Sequence, residues 1–415
     1  MHISDMNSLP EPLRGSEIGT FAHHSIVVRL PEIARRTLAE NEFSPETIRQ
    51  MEELIAEIPG GSIRELVDHS APDANIWETY LRPYLGNGWL DVPWFFAEAY
   101  FYRRILEATG YFLPGWGYHR DPFRFQKNMG LQVSEKYIRN LAKSLSAWND
   151  RKHDTRATMI DMLVTALWSN QADLSLWPAD QEGSPSHVNR EQAQRYLLLD
   201  DSARLIDYWI SPARQHFRLD ILADNAGIEL ICDLGLVDYL VSHQLVKQVH
   251  LHLKAHPTFV SDALPADIHQ SLDFLAAIQS DPVQRLAVRL RSYIETGQLV
   301  LLSDFFWNSP LAMWNMPEAL MSDFQRSTLV ISKGDANYRR LLGDLHWPYQ
   351  HPFEKILAYF PAPLVALRTA KSEVVVGLPL QSIERLQKID PDWMVNGRWG
   401  MIQFFQPRNW QRITR

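Results

Sequence analysis

The second half of the chain alternates short apolar runs of strand length with segments of helical periodicity. "RLDILADN", "KQVHLHLK", "GQLVLLSD", "STLVISKGD", "PLVALRT" and "SEVVVGL" are the runs, several with Val or Ile in succession, as strands buried on both faces require. Between them lie "GIELICDLGLVDYLVSHQ" and "ALPADIHQSLDFLAAIQ", which read as helices. Repeated strand-helix-strand units close as a mainly parallel sheet covered by helices, so the fold class is α/β.

Residues 1 to 175 are patterned for helix instead. "SPETIRQMEELIAEI" opens on a Ser-Pro-Glu cap, and "WFFAEAYFYRRILEATG" and "SEKYIRNLAKSLSAW" keep helical spacing. "LPGWGYHRDPFRFQKN" reads as an ordered loop that packs rings, and Glu98 as part of helix packing. Residues 177 to 189, "WPADQEGSPSHVN", combine Pro, Gly and Ser without periodicity and mark the boundary. The expected organisation is an N-terminal helical domain over 1–185 and an α/β domain over 186–415, entered through a bridging helix in "REQAQRYLLLDDSARLIDYWI".

In open parallel sheets, ligands gather beyond the carboxyl ends of the strands. Asp224 and Asn225 follow "LDILA", Ser261 and Asp262 follow the next run, and Asp304 follows "LVLLS". Lys333 and Asp335 follow "LVIS", while Arg368 and Lys371 flank the end of "LVAL". A single such residue is a routine helix cap, and Asp224-Asn225 or Asp335 alone fit that reading. Five strand ends carrying polar groups favour a shared site. Asp304 reads as structural, and His250 and His252, alternating on one strand face without a third ligand in sequence, read as satisfied or solvent-facing.

The formal charge of -8 excludes general nucleic-acid affinity, which rests on many Lys and Arg contacts to phosphates. A single cysteine, Cys232, fits a reducing compartment. The N-terminus lacks a secretory apolar stretch and no run is long enough to span a bilayer, so the expectation is a cytoplasmic protein without a membrane partner.

"ILADNAGIELICDLGLVDYLV", "VHLHLKAHPTFVSDA", "FFWNSPLAMWNMP", "LVISKGDANYRRLLGDLHW" and "VALRTAKSEVVVGL" together resemble the metal-dependent damage-control phosphatases of the ARMT-like group. Its Arg-Thr-x-Lys motif stands here as Arg368-Thr369-Ala370-Lys371, and the likeness runs from about residue 90 onward. The resemblance implies a three-layer α/β/α sandwich beside a helical N-terminal domain. It also implies a divalent cofactor (Mn, Co, Ni or Mg) and a small phosphorylated metabolite as substrate, sugar phosphates such as fructose 1-phosphate among them. By resemblance, Asp224, Asn225 and Asp262 are the metal ligands and Glu229 lines the same catalytic pocket. Asp335, Asn337, Tyr338 and Arg339, with Lys371, bind substrate. Ala263 stands where a β-branched residue is more usual, with no chemical consequence.

Two carboxylates and an amide oxygen form a hard, oxygen-only donor set, suited to Mg- or Mn-like ions and open enough to admit a water and a phosphate oxygen. Such an ion polarises a phosphoryl group, and the cations Lys333, Arg339, Arg368 and Lys371 are available to offset charge on the non-bridging oxygens. Arg339 and Lys371 are the candidates for direct contact; Arg368 can instead brace the loop through a carboxylate. Attack by water activated at the metal, with Asp262 or Glu229 taking the proton, is favoured over attack by Asp224. Two other functions compete with the phosphatase. One is an S-adenosylmethionine-dependent carboxyl methyltransferase, an activity also attributed to this group, although no Gly-x-Gly turn follows a predicted strand. The other is a pseudoenzyme that binds a phosphorylated metabolite and recruits a partner.

Overall fold

The computed structural model describes residues 9–150, 153–169, 194–210 and 218–407. The boundary expected at 177–189 lies outside the described residues. Helices dominate the N-terminal part: α1 (Leu30–Ala39), α2 (Pro45–Glu57), α3 (Ala74–Leu81), α4 (Trp94–Thr109), α5 (Arg124–Gln132), α6 (Glu135–Asp150) and α7 (Thr155–Trp168). The remainder interleaves β1 (Leu197–Asp200), α8 (Ser202–Trp209), β2 (Arg218–Leu222), α9 (Ile228–Ser242), β3 (Gln248–Lys254), α10 (Pro265–Ala277), α11 (Asp281–Glu295) and β4 (Leu299–Asp304). It ends with α12 (Glu318–Phe324), β5 (Leu329–Lys333), α13 (Gly334–Leu342), β6 (Leu364–Thr369), α14 (Leu380–Ile389) and β7 (Gly400–Phe405).

The seven strands form one sheet in the order β1-β7-β6-β5-β2-β3-β4, and only the β6-β7 pair is antiparallel. Alternation along each strand divides its apolar side chains between two cores. Leu222, Val330, Leu364 and Ala366 face a layer made with α1 to α4 and α13, whereas Leu219, Ile221, Leu329 and Ile331 face α6 to α11. This is the three-layer α/β/α arrangement expected, with a helix-rich N-terminal region. Helices α6 and α7 lie in the second core, against the sheet.

Two expectations are corrected. "REQAQRYLLLDDSARLIDYWI" is not one helix: Leu197–Asp200 pairs with β7 as an edge strand, and Asp200 Oδ1 accepts from Ser202 N at 2.9 Å to start α8. Consecutive leucines followed by two aspartates suit a strand and turn as well as a helix. "SEVVVGL" is not a strand either. Its Val374 carbonyl accepts from Arg368 Nη1 and its Val376 carbonyl from Gln403 Nε2, so side chains satisfy the backbone instead of a ladder. The edge of β6 is taken by β7, "GMIQFF", which pairs with it antiparallel.

Helix α4 is buried along its whole length, so its charged residues need internal partners. Arg103 bonds Asp73 and Asp68, Arg104 bonds Glu57, and Glu107 accepts from Arg64. The same network reaches the segment after β3. His256, 2 % exposed, lies 3.6 Å from Asp73 Oδ2, and Asn308 Nδ2 donates to its carbonyl at 2.8 Å.

Burial pushes the His256 imidazole down to about 4 from its ordinary 6.5. Above 6.5 both folded and unfolded chains hold it neutral; as pH falls from 6.5 towards 4, only the unfolded chain takes up the proton, so stability is lost across that window. Denaturant unfolding should show wild type losing roughly 2 kcal/mol more than a folded His256→Asn variant between pH 7 and pH 5. Equal losses would exclude this burial effect.

Candidate metal and phosphate site

Strands β2 to β6 are parallel, so their carboxyl ends lie on one side. In the order β6-β5-β2-β3 the chain leaves β2 towards β3 and leaves β5 towards β6, so the topological switch point, where α/β sheets open a crevice, falls between β2 and β5. Asp224 and Asn225 stand there, just beyond β2. They are fixed to the segment after β3 by an isolated antiparallel bridge between Asn225 and Asp262. Ala263 N donates to the Asp224 carbonyl at 2.8 Å and Ala226 N to the Ser261 carbonyl at 2.7 Å. Reaching this bridge requires left-handed backbone at two non-glycine residues, Phe259 (φ 45°) and Val260 (φ 65°), a strain held by packing of the Phe259 ring on Tyr102 and Phe95.

Asp224, Asn225, Glu229 and Asp262 form one cluster. Asn225 Nδ2 donates to Asp224 Oδ2 at 2.7 Å and to Glu229 Oε2 at 2.9 Å, while its Oδ1 accepts from Ser261 Oγ. Asp262 Oδ2 lies 3.3 Å from Lys254 Nζ, at an angle that makes no hydrogen bond, and is otherwise an orphaned buried oxygen. Burial raises the Asp262 carboxyl, with Lys254 opposing. It pushes Asp224 well above the carboxylate range, and Glu229 and Asp262 add to that by repulsion. Buried like charges with an unmatched oxygen are the electrostatic condition that a hard cation relieves. The room is kept by Gly334 (φ +79°), where a Cβ would sit 1.9 Å from Asp224 Oδ2. The oxygen-only donors Asp224, Asn225 and Asp262 therefore fit a divalent ion, given a turn of the Asn225 amide that brings its oxygen to the Asp224 side.

The four expected cations separate by partner. Lys333 donates to Asp233 Oδ1 at 2.6 Å and Glu229 Oε1 at 3.1 Å; burial opposes its charge, but these carboxylates outweigh it and its pKa is raised. Arg339 is held by Glu98 (2.6 Å) and by Asp344 (2.7 and 3.0 Å), over the Trp94 ring. Arg368 donates to Asp335 Oδ1 at 2.7 Å and stacks 4.3 Å above Tyr338, the bracing role open to it. Lys371 alone of the four forms no ion pair among the described residues, although its charge acts on Asp224.

The other expected substrate residues are engaged in building this corner. Asp335 Oδ1 also accepts from Lys371 N and Ser372 Oγ; burial opposes its charge, yet Arg368 and Arg339 hold its carboxyl below the usual range. Asn337 Nδ2 bridges the Ala223 and Lys333 carbonyls at 3.1 and 2.9 Å, joining the ends of β2 and β5. Tyr338 OH donates to Gln403 on β7. Asp304 caps the turn after β4 through Phe306 N, as its structural reading expects. Residues overlooked in the sequence are Lys254, Gly334 and Asp233. Only Asp233 carried a signal, being one turn beyond Glu229 on a mostly apolar helix.

His250 does have carboxylates nearby: ligand atoms of Asp220, His250 and Asp323 lie within 4.8 Å of one another. Arg218 donates to both carboxylates there, and His252 Nε2 bonds Asp220 at 2.9 Å, so a guanidinium already supplies the positive charge. This group is an ion-pair network rather than a second cation site. No helix among the described residues is long and apolar enough to cross a membrane.

Residues 25–386 match the family described as the damage-control phosphatase ARMT1-like domain. The chain is 31% identical to the damage-control phosphatase ARMT1 of Danio rerio, covering 97% of this chain and 98% of that one. It is 30% identical to the Mus musculus protein of the same name, covering 97% and 100%, and 27% to that of Homo sapiens over the same shares. With that family model covering most of its length, the chain belongs to the damage-control phosphatase ARMT1-like domain family.

Proposed function

We propose that this chain is a metal-dependent phosphatase acting on phosphate monoesters of small sugars, of the fructose 1-phosphate kind. The observation that carries the reading is the cluster at the switch point between β2 and β5. Buried Asp224, Glu229 and Asp262 repel one another there, and among the described residues Asp262 Oδ2 has no hydrogen-bond donor and Lys371, nearby, no carboxylate partner. Membership of a phosphatase family supports it.

Asp224, Asn225 and Asp262 would hold a divalent ion such as Mn, Co, Ni or Mg. When bound, the ion supplies Lewis-acid polarisation of the phosphoryl group and lowers the pKa of water. The chain's own groups do the rest. Lys371 attracts and orients the phosphate, its backbone and neighbouring Arg368 being locked by Asp335. Lys333 keeps Glu229 in place, with Glu229 directed at the Asn225 amide and positioned to accept a proton. Lys254, anchored by donating to the Trp307 carbonyl at 3.2 Å, sets its charge 3.3 Å from Asp262 Oδ2. Arg339, saturated by Glu98 and Asp344, acts as a girder between α4 and α13.

Phosphate release from a panel of sugar phosphates should vanish on chelation and return when Mn, Co, Ni or Mg is restored. Folded protein that releases nothing with any of these metals would defeat the proposal and turn attention to S-adenosylmethionine or metabolite binding. Asp262→Asn should lower metal-dependent turnover by about 10²-fold or more with circular dichroism unchanged; full turnover would remove Asp262 from the ligand set. Lys371→Ala should raise KM for phosphate esters while leaving thermal stability intact. A change in Tm without one in KM would return Lys371 to a structural role.

A further inference from the structure

A pocket of about 370 Å³ opens between α3, the start of α4, the segment after β4 and the C-terminal end of α13. None of Asp224, Asn225, Glu229, Asp262 or Lys371 lines it. Its walls are mainly Tyr80, Tyr84, Phe95, Phe96, Pro310 and Leu311, and its charged end holds Arg340 beside Arg339 and Asp344, which neutralise each other as an ion pair. We propose that this pocket binds an organic anion with a flat apolar body, an aromatic carboxylate being the simplest representative. The inference does not depend on phosphatase activity.

Arg340 is 1 % exposed, yet it forms no ion pair among the described residues. Its Nη1 donates to the Leu311 carbonyl at 2.7 Å and Ser309 Oγ at 3.3 Å, its Nη2 donates to the Trp307 carbonyl at 3.1 Å, and its Nε has no acceptor. The neighbouring Arg339 has two carboxylates. A buried guanidinium held only by neutral oxygens and by the Phe95 and Phe306 rings, 4.9 and 5.4 Å away, lacks a contacting countercharge among the described residues, Asp262 acting on it only from beyond ion-pair distance. Burial accordingly drags its pKa down to about 9. An anion entering the pocket supplies that countercharge. Ring and proline walls favour an apolar body and leave sugar hydroxyls unmatched, which separates this ligand from a sugar phosphate.

The test is calorimetric titration of the full chain with a naphthalene carboxylate and with the uncharged naphthalene methanol of the same shape. The carboxylate should bind saturably at one site, the neutral probe weaker by roughly tenfold or more, the loss expected for a charge-assisted bond. Thr79→Trp places an indole in the pocket from an exposed wall position and should abolish binding with basal phosphatase activity unchanged. Arg340→Met should erase the preference for charge; if that variant does not fold, the two probes and Thr79→Trp decide alone. Asp262→Asn should bind the carboxylate as wild type does. Absence of binding to folded wild type, equal affinity for both probes, or binding that survives Thr79→Trp would overturn the inference. Loss of binding in folded Asp262→Asn would overturn it too, by locating the probe at the acidic cluster.

Discussion

Carboxylates buried close together, with one oxygen of Asp262 left without a donor among the described residues, are the constraint around which this molecule is arranged. Asp224 and Asp262 come from different strand ends and meet because the Asn225-Asp262 bridge ties their backbones. In a low-dielectric interior such a pair resists full ionisation. The surrounding fold therefore either supplies positive charge or leaves a place for it, and here it does both.

Lys254 approaches Asp262 from β3 and Lys333 approaches Glu229 from β5. Each occupies the last residue of a parallel strand, the position from which a long side chain can reach past the sheet edge. Gly334 then denies volume to any side chain beside Asp224. The helical layer contributes rigidity: Glu98 on α4 grips Arg339, and Tyr102 and Phe95 hold the strained Phe259 turn. Breaking that layer would loosen the loop that carries Asp262 without touching the acidic cluster.

How far the sequence was legible depended on how local each cause was. β2, β5 and β6 announced themselves through apolar residues, because burial on both faces is written in each strand's own composition, while β3 showed as an alternation and β4 as a short apolar run at the sheet edge. β1 and β7 did not: "LLLD" and "GMIQFF" become strands only by pairing with each other and with β6. "SEVVVGL" had the right composition and lost the sheet edge to β7. At the site, motif residues in the acidic loops were visible as such. Lys254 was hidden because it ends an apolar run, where a lysine ordinarily reads as the strand's exit to solvent.

Arg339 shows the same limit from the other side. Its residue type suggested phosphate contact, whereas Glu98, more than two hundred residues earlier, claims its charge. Lys371 forms no ion pair among the described residues, Asp335 being spent on Arg368 and on the Lys371 backbone. Residue identity, strand composition and motif order were determined by the sequence alone, since they depend on neighbours along the chain. Which cations are neutralised, which carboxylate oxygen is left without a donor among the described residues and how far Arg340 stands from the nearest carboxylate acting on it were decided only by tertiary structure. Charge pairing falls off over a few ångströms in space, and those distances join residues that the chain keeps far apart.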